Sequence, residues 1–341
     1  LFEHLMFGGS KNISVYDEPL QRVGGENNAF TSPDITNYYI TLPAVNLETA
    51  CWLESDRMFS LAFSEKSLEV QKNVVCEEFK QRYLNQPYGD VWLKMRPLAY
   101  EKHPYQWATI GKNLMQIEEA KMEDVKAFFN QFYVPSNAIL VVAGAVKTAE
   151  VKKMVEQWFG SIPSGVKPVR NLPQEPAQLQ EKRQTEEANV PLNALYMAFH
   201  MPARQDASYY AADLLSDILS RGNSSRLYRS LLKEQQFFSD INAYHLGSID
   251  PGLFIVEGKP APGVSMEAAE QAIWQELDRL KNETVVEEEL TKVKNKLEST
   301  MKFGEMSLLD KAMNLAYFEL LGNAEDLNHE TGKYMAVTAQ E

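Results

Sequence analysis

Polar and apolar positions alternate from Ile35 to Leu42, stop at Pro43-Ala44, and give way to Leu47, Ala50, Cys51, Glu54 and Met58 at spacings of three and four. A period of two followed by a period near 3.6 predicts a strand, a break and an amphipathic helix. The plan recurs in the second half. Asn193 to His200 reads as a strand, Pro202-Ala203 breaks it, and Tyr210, Leu214, Asp217 and Ile218 mark the face of a following helix. A second pair of transitions supports an internal duplication. Ala138 to Ala143 predicts a strand ending at Gly144, after which Thr148 caps a helix with Glu150 in its first turn and Val151, Met154, Val155 and Trp158 on one side. Its counterpart is Phe254-Ile255-Val256 ending at Gly258, then Ser265 as cap, Glu267 in the first turn, and Ala269, Ile273, Trp274 and Leu277 as the buried face. The first half carries an insertion between its matched elements.

Between the halves, Ser161 to Pro191 holds Pro163, Pro168, Pro173, Pro176 and Pro191 among polar residues without a sustained apolar period, the pattern of a linker. Further on, Thr284-Val285-Val286-Glu287 reads as a capping box opening a helix through Leu290, Val293, Leu297 and Met301. The expected architecture is α+β: two homologous units, residues 1–165 and 191–341, each a mainly antiparallel sheet packed by helices, joined by a linker at 166–190.

A chain of 341 residues exceeds one ordinary core, in keeping with two units. With 44% hydrophobic and 24% charged residues it is a folding composition. Its 34 basic against 47 acidic residues leave a net charge of −13. That balance argues against nucleic-acid binding and suits a basic partner or substrate. The longest apolar run, Ala138 to Val146, falls well short of the roughly 20 residues that span a bilayer. Cys51 and Cys76 form neither a metal spacing nor a disulfide framework and are expected to be buried thiols. The opening Leu1-Phe2-Glu3-His4, with no initiator Met and no signal pattern, reads as the interior of a longer protein.

An adjacent acid and imidazole, Glu3-His4, carries little by itself. In its setting, Leu1-Phe2-Glu3-His4-Leu5-Met6-Phe7-Gly8-Gly9-Ser10, it resembles the start of the inverted-zincin, or insulinase-like, metallopeptidases of family M16. Their His-x-x-Glu-His motif puts two imidazoles on one helix face, with the Glu between them able to reach water at the metal. The resemblance implies a Zn2+ site in which His4 is a ligand, Glu3 is the general base, and the first His precedes Leu1. It also implies a Glu ligand from a downstream acidic helix. Ser64 and Ser67 offer caps for a helix through Leu68-Glu69-Val70-Gln71-Lys72-Asn73-Val74-Val75-Cys76-Glu77-Glu78-Phe79-Lys80-Gln81-Arg82, which is similar to the family's doubled-Val, Glu-Glu helix. Glu78, second of the doublet, takes the ligand position. Gln71, Val74, Val75, Glu78 and Arg82 are expected on one face, so that Gln71 can hydrogen-bond near the metal. The family usually carries Glu at the Gln71 position, and this departure removes one negative charge from the site.

Gly24-Gly25-Glu26-Asn27-Asn28-Ala29-Phe30-Thr31 pairs a tight glycine turn with a polar strand. It reads either as a turn into a core strand or as an exposed edge that an extended peptide can join. The resemblance favours the edge and singles out Asn28, Ala29 and Phe30 as substrate-binding. The segment Ser224 to Ser239 resembles the one bearing the family's Arg and Tyr, but those positions fall on Leu232 and Ser239. That departure is the pattern of a catalytic-type subunit in two-component members of the short, two-domain kind, whose homologous partner supplies the pair. Arg226 and Tyr228 are then structural. The resemblance therefore implies the LuxS/MPP-like metallohydrolase fold and a zinc-dependent endopeptidase for short or unfolded peptides, working with a homologous Arg/Tyr-bearing subunit or a second copy. The alternative is a non-catalytic peptide-binding or assembly subunit of the same fold. The expected compartment is the cytoplasm, with the periplasm as the other candidate.

Overall fold

Two β hairpins, each leading into two long helices, organise the chain. The computed structural model describes residues 1–341 and divides them into two compact units, Leu1–Glu181 and Lys182–Glu341. The boundary falls inside the stretch read as a linker.

The first unit contains α1 (Phe2–Leu5), α2 (Asp17–Arg22), β1 (Glu26–Thr31), β2 (Thr36–Thr41), α3 (Leu47–Ser60), α4 (Glu65–Phe79), α5 (Val91–Ala99), α6 (Leu114–Glu118), α7 (Met122–Phe132) and α8 (Thr148–Phe159). Strands β1 and β2 form a two-stranded antiparallel sheet, with Asn28 opposite Tyr39 and Thr31 opposite Thr36. The second unit contains β3 (Leu195–His200), α9 (Tyr209–Ser220), β4 (Phe238–Leu246), β5 (Leu253–Pro260), α10 (Met266–Asn282), α11 (Glu287–Gly304), α12 (Leu308–Leu321) and α13 (Glu330–Ala336). Its antiparallel sheet has the order β3-β5-β4. Each unit has a hydrophobic core of its own. The larger, in the second unit, is built on Leu219, Leu227, Leu231, Val256 and Ile273, and the first is divided among several smaller clusters.

The duplication takes a different register from the one the sequence pattern gave. The order β1-β2-α3-α4-α5 matches β4-β5-α10-α11-α12, with α1 and α9 each ahead of its hairpin. The strand expected at Ala138 to Ala143 does not form. That segment lies in no sheet, and Ile139 and Leu140 are 39% and 51% exposed. An apolar run supplies strand propensity, but a strand also needs a neighbour for its backbone hydrogen bonds, which periodicity does not reveal.

Caps divide in the same way. Ser64 accepts from Ser67 N–H and Ser265 from Ala268 N–H, as expected. Thr148 is instead the first residue of α8, and the Thr284 capping box does not form because α11 starts at Glu287 behind Val286. On α3 the expected apolar face gives way to a mixed one: Leu53 is fully buried, and Asp56 and Arg57 are also buried. Arg57 is held by Glu54 at 2.6 Å and lies over the rings of Phe7, Tyr16 and Tyr38 at 5.3, 4.7 and 4.5 Å. A paired charge stacked on aromatic faces tolerates a position that hydropathy assigns to solvent. Burial disfavours the Arg57 charge, but Glu54, Tyr16 and Tyr38 more than offset it, so its pKa stays above the ordinary arginine value.

The proline-rich stretch is not a free tether over its first part. Arg170 pairs with Asp34 at 2.7 Å, and Glu175 accepts the consecutive backbone N–H groups of Glu101, Lys102 and His103 at 2.6, 2.9 and 2.8 Å. Both anchors belong to the first unit. Cys51 and Cys76 are buried free thiols, as expected.

Candidate active site

Helix α1 is too short to be stable on propensity alone, so packing must hold it. Leu5 packs with Leu68 and Val125, Met6 with Leu61 and Phe129, and the Phe2 ring meets Phe128 and Tyr133 at 5.0 and 4.7 Å. The chain then turns at Gly9, whose φ is +91°. A Cβ there would lie 2.7 Å from the carbonyl oxygens of Ile13 and Ser14, so both conformation and space require glycine. This anchoring leaves Glu3 and His4 half-buried.

Helix α4 brings the second part. Val75, Cys76 and Phe79 are buried with Ile117, which orients the helix and separates the acidic doublet. Glu77 points outward and pairs with Lys80 at 2.7 Å. Glu78 turns inward, its carboxylate Oε2 3.5 Å from His4 Nε2 and its Oε1 2.7 Å from the Arg82 guanidinium. Val75 and Val74 differ from the single face expected of them: Val75 is buried and Val74 is 44% exposed. Gln71 is half-buried on α4, but no hydrogen bond joins it to His4 or Glu78.

Glu3 accepts a hydrogen bond from the Thr31 hydroxyl at the end of β1.

No group of three or more His, Cys, Asp or Glu side chains among the described residues could hold a metal. His4 and Glu78 nevertheless fit as two ligands of one ion. Two atoms each about 2.1 Å from a tetrahedral zinc stand about 3.4 Å apart, which the observed 3.5 Å approaches. An imidazole and a carboxylate also match the ligand preferences of zinc.

Strand β1 pairs only with β2, so its other edge is open. Asn28 and Phe30 are exposed and Ala29 is half-buried, with the Asn28 side chain accepting from Ala29 N–H at 2.8 Å. In the second unit, Ser239 donates to the Lys259 carbonyl at 3.0 Å and Leu232 is a half-buried aliphatic residue. Arg226 is bound to Glu289 at 2.7 Å, and Lys233 lies over the Tyr228 ring at 5.4 Å. Sequence reasoning missed Thr31 and assigned no role to Arg82. The position of Arg82, four residues after Glu78 on a helix, was the one available signal.

Comparison with known proteins identifies the fold and its relatives. The family described as Insulinase (Peptidase family M16) matches residues 1–107, and the Peptidase M16 inactive domain matches residues 120–297. The chain is 30% identical to the zinc protease PqqE of Helicobacter pylori, over 86% of this chain and 67% of that protein. It is 25% identical to the uncharacterized zinc protease YmxG of Bacillus subtilis, over 94% of this chain and 77% of the relative. The crystal structure of a protease from Helicobacter pylori superposes with a TM-score of 0.92 at 27% identity, covering 99% of this chain and 82% of that one. No helix is long and apolar enough to cross a membrane.

Proposed function

The chain belongs to peptidase family M16, and from that premise we propose that it is the catalytic-type part of a zinc-dependent endopeptidase acting on short or unfolded peptides. The observation that carries the reading is the approach of His4 and Glu78, from separate helices, to 3.5 Å beside Glu3. His4, Glu78 and an imidazole one residue upstream of Leu1 would hold the Zn2+. That upstream position is four residues before His4, the spacing that shares a helix face. When bound, zinc supplies Lewis acidity, polarising a peptide carbonyl and acidifying water to near neutrality.

The chain's own groups do the rest. Glu3 accepts the proton released by the attacking water and returns it to the leaving amine, the two halves of general acid–base catalysis. Arg82 fixes the orientation of the Glu78 carboxylate through its second oxygen. An extended peptide joins the open edge of β1 at Asn28, Ala29 and Phe30, with main-chain hydrogen bonds giving affinity.

Leu232 and Ser239 offer neither a guanidinium nor a phenol, which supports a homologous subunit or a second copy of this chain as the source of the missing Arg and Tyr. Peptide cleavage by the full-length protein, measured alone and with a homologous Arg/Tyr-bearing subunit, tests this. Cleavage is expected to rise at least tenfold with the partner, as loss of one oxyanion donor costs about a hundredfold or more. Equal rates with and without it, in a protein that sedimentation shows to be a monomer, would refute the two-component reading.

A further inference from the structure

The hydrogen bond from Thr31 to Glu3 belongs to none of the roles assigned so far, although its meaning rests on reading Glu3 as the general base. We propose that Thr31 is a positioning residue that fixes the direction of the Glu3 carboxylate.

A glutamate side chain has several rotatable bonds, and a hydrogen bond from a neighbouring hydroxyl to its carboxylate favours one rotamer over the others. Thr31 is itself firmly placed. It faces Thr36 across the closed end of the hairpin, and the turn between them is tied by Ser32 N–H to the Ile35 carbonyl at 2.8 Å. Within that turn Asp34 receives the Tyr105 hydroxyl and the Arg170 guanidinium, each at 2.7 Å. The end of the strand cannot drift without breaking these contacts.

Proton counting extends the argument inward. A threonine hydroxyl has one proton, and Thr31 gives its proton to Glu3. From Thr36, whose Oγ1 is 3.4 Å away, it can therefore only accept. Thr36 therefore serves as the donor to Thr31, so the two hydroxyls across the end of the hairpin both point their protons toward Glu3.

The test uses the full-length protein with its zinc bound, comparing wild type with Thr31→Val, Thr31→Ser and Glu3→Gln. Thr31→Val is expected to lower kcat roughly tenfold to a hundredfold with KM changed by less than about twofold, and Thr31→Ser to restore most of it. Zinc content should be the same in all four. A crystal structure of Thr31→Val should show the Glu3 carboxylate displaced from its wild-type position. The proposal is overturned if Thr31→Val keeps full kcat, if Thr31→Ser is as impaired as Thr31→Val, or if the Glu3 conformation is unchanged without the hydroxyl. A raised KM at constant kcat also overturns it, placing Thr31 with the peptide-binding edge instead. Cleavage that survives Glu3→Gln removes the base assignment. Cleavage lost in Glu3→Gln but intact in Thr31→Val removes only the role of Thr31.

Discussion

Helices α1 and α9 hold corresponding places in the two units, yet one is open and the other closed. Over the stretch of α9 that matches α1, Ser216, Asp217, Ile218 and Leu219 are all buried. In α1 only Leu5 is. Each helix carries an acid ahead of a glycine turn, Glu3 before Gly8 and Asp217 before Gly222. Glu3 is followed by the half-buried His4, whereas Asp217 is followed by Ile218, which is 3% exposed. Asp217 is bound by Arg221 of its own last turn at 3.2 Å. Each unit also buries an arginine stacked on three rings and paired with a carboxylate, though at places that do not correspond: Arg57 lies on α3 and Arg204 between β3 and α9. Arg57 has Phe7, Tyr16, Tyr38 and Glu54, and Arg204 has Tyr209, Tyr210, Phe318 and Glu330. The difference teaches that one helix face can serve either packing or ligation. The second unit gained core where the first kept polar groups accessible.

Substitutions on the two helices and their neighbours can break this comparison. The largest contrast is expected between Glu78→Ala and Ile218→Ala in the full-length protein. The first should remove zinc, read as metal content after dialysis, and reduce cleavage to that of the metal-free protein. The second should leave zinc content unchanged while costing about 2–4 kcal/mol of stability in denaturant unfolding. Zinc loss from Ile218→Ala would mean that the second unit shares in the site. Next in size, Arg57→Ala and Arg204→Ala should each cost about 3 kcal/mol, because each strands a carboxylate that the arginine had neutralised. A small effect at one and a large one at the other would show that the two cages are not equivalent.

A smaller effect concerns acid. Burial pushes the Asp213 pKa up, but the hydrogen bond and charge of His245, at 2.8 Å, together with the Tyr334 hydroxyl, hold it below the usual aspartate value. A carboxyl depressed in the folded state contributes stability that is present above its unfolded pKa and lost as pH falls through the folded one. Unfolding midpoints followed from neutral pH down through the carboxylate range should therefore fall less steeply at the acid end in Asp213→Asn than in the parent. Identical slopes would remove Asp213 from the acid response of the second unit.

How much of this could be read in the chain follows from where each signal resides. The Glu3-His4 pair and the Glu77-Glu78 helix were singled out by the resemblance of their surroundings to family M16, and helical spacing added only which neighbours were expected to share a face with Glu78. The amphipathic faces of α10 and α11 were legible from helical spacing itself, with Ala269, Ile273, Leu290 and Val293 all buried. The register of the duplication was not, since Ala138 to Ala143 and Phe254 to Val256 look alike as apolar runs and differ only in whether a neighbouring strand pairs with them. Arg57 was hidden because its burial depends on rings at residues 7, 16 and 38. Thr31 was hidden because a threonine in a polar strand carries no mark of the carboxylate it meets from another element. Local periodicity finds elements; contacts between elements decide the charged interior and the support of the site.

The central claim, that Glu3 acts as the general base beside a zinc held by His4 and Glu78, is tested most directly by Glu3→Gln in the full-length protein, with zinc content and peptide cleavage measured on the same preparation. The account predicts one zinc per site, as in the parent, and no cleavage above that of the zinc-free protein. Parental cleavage by the zinc-loaded Glu3→Gln protein would contradict it.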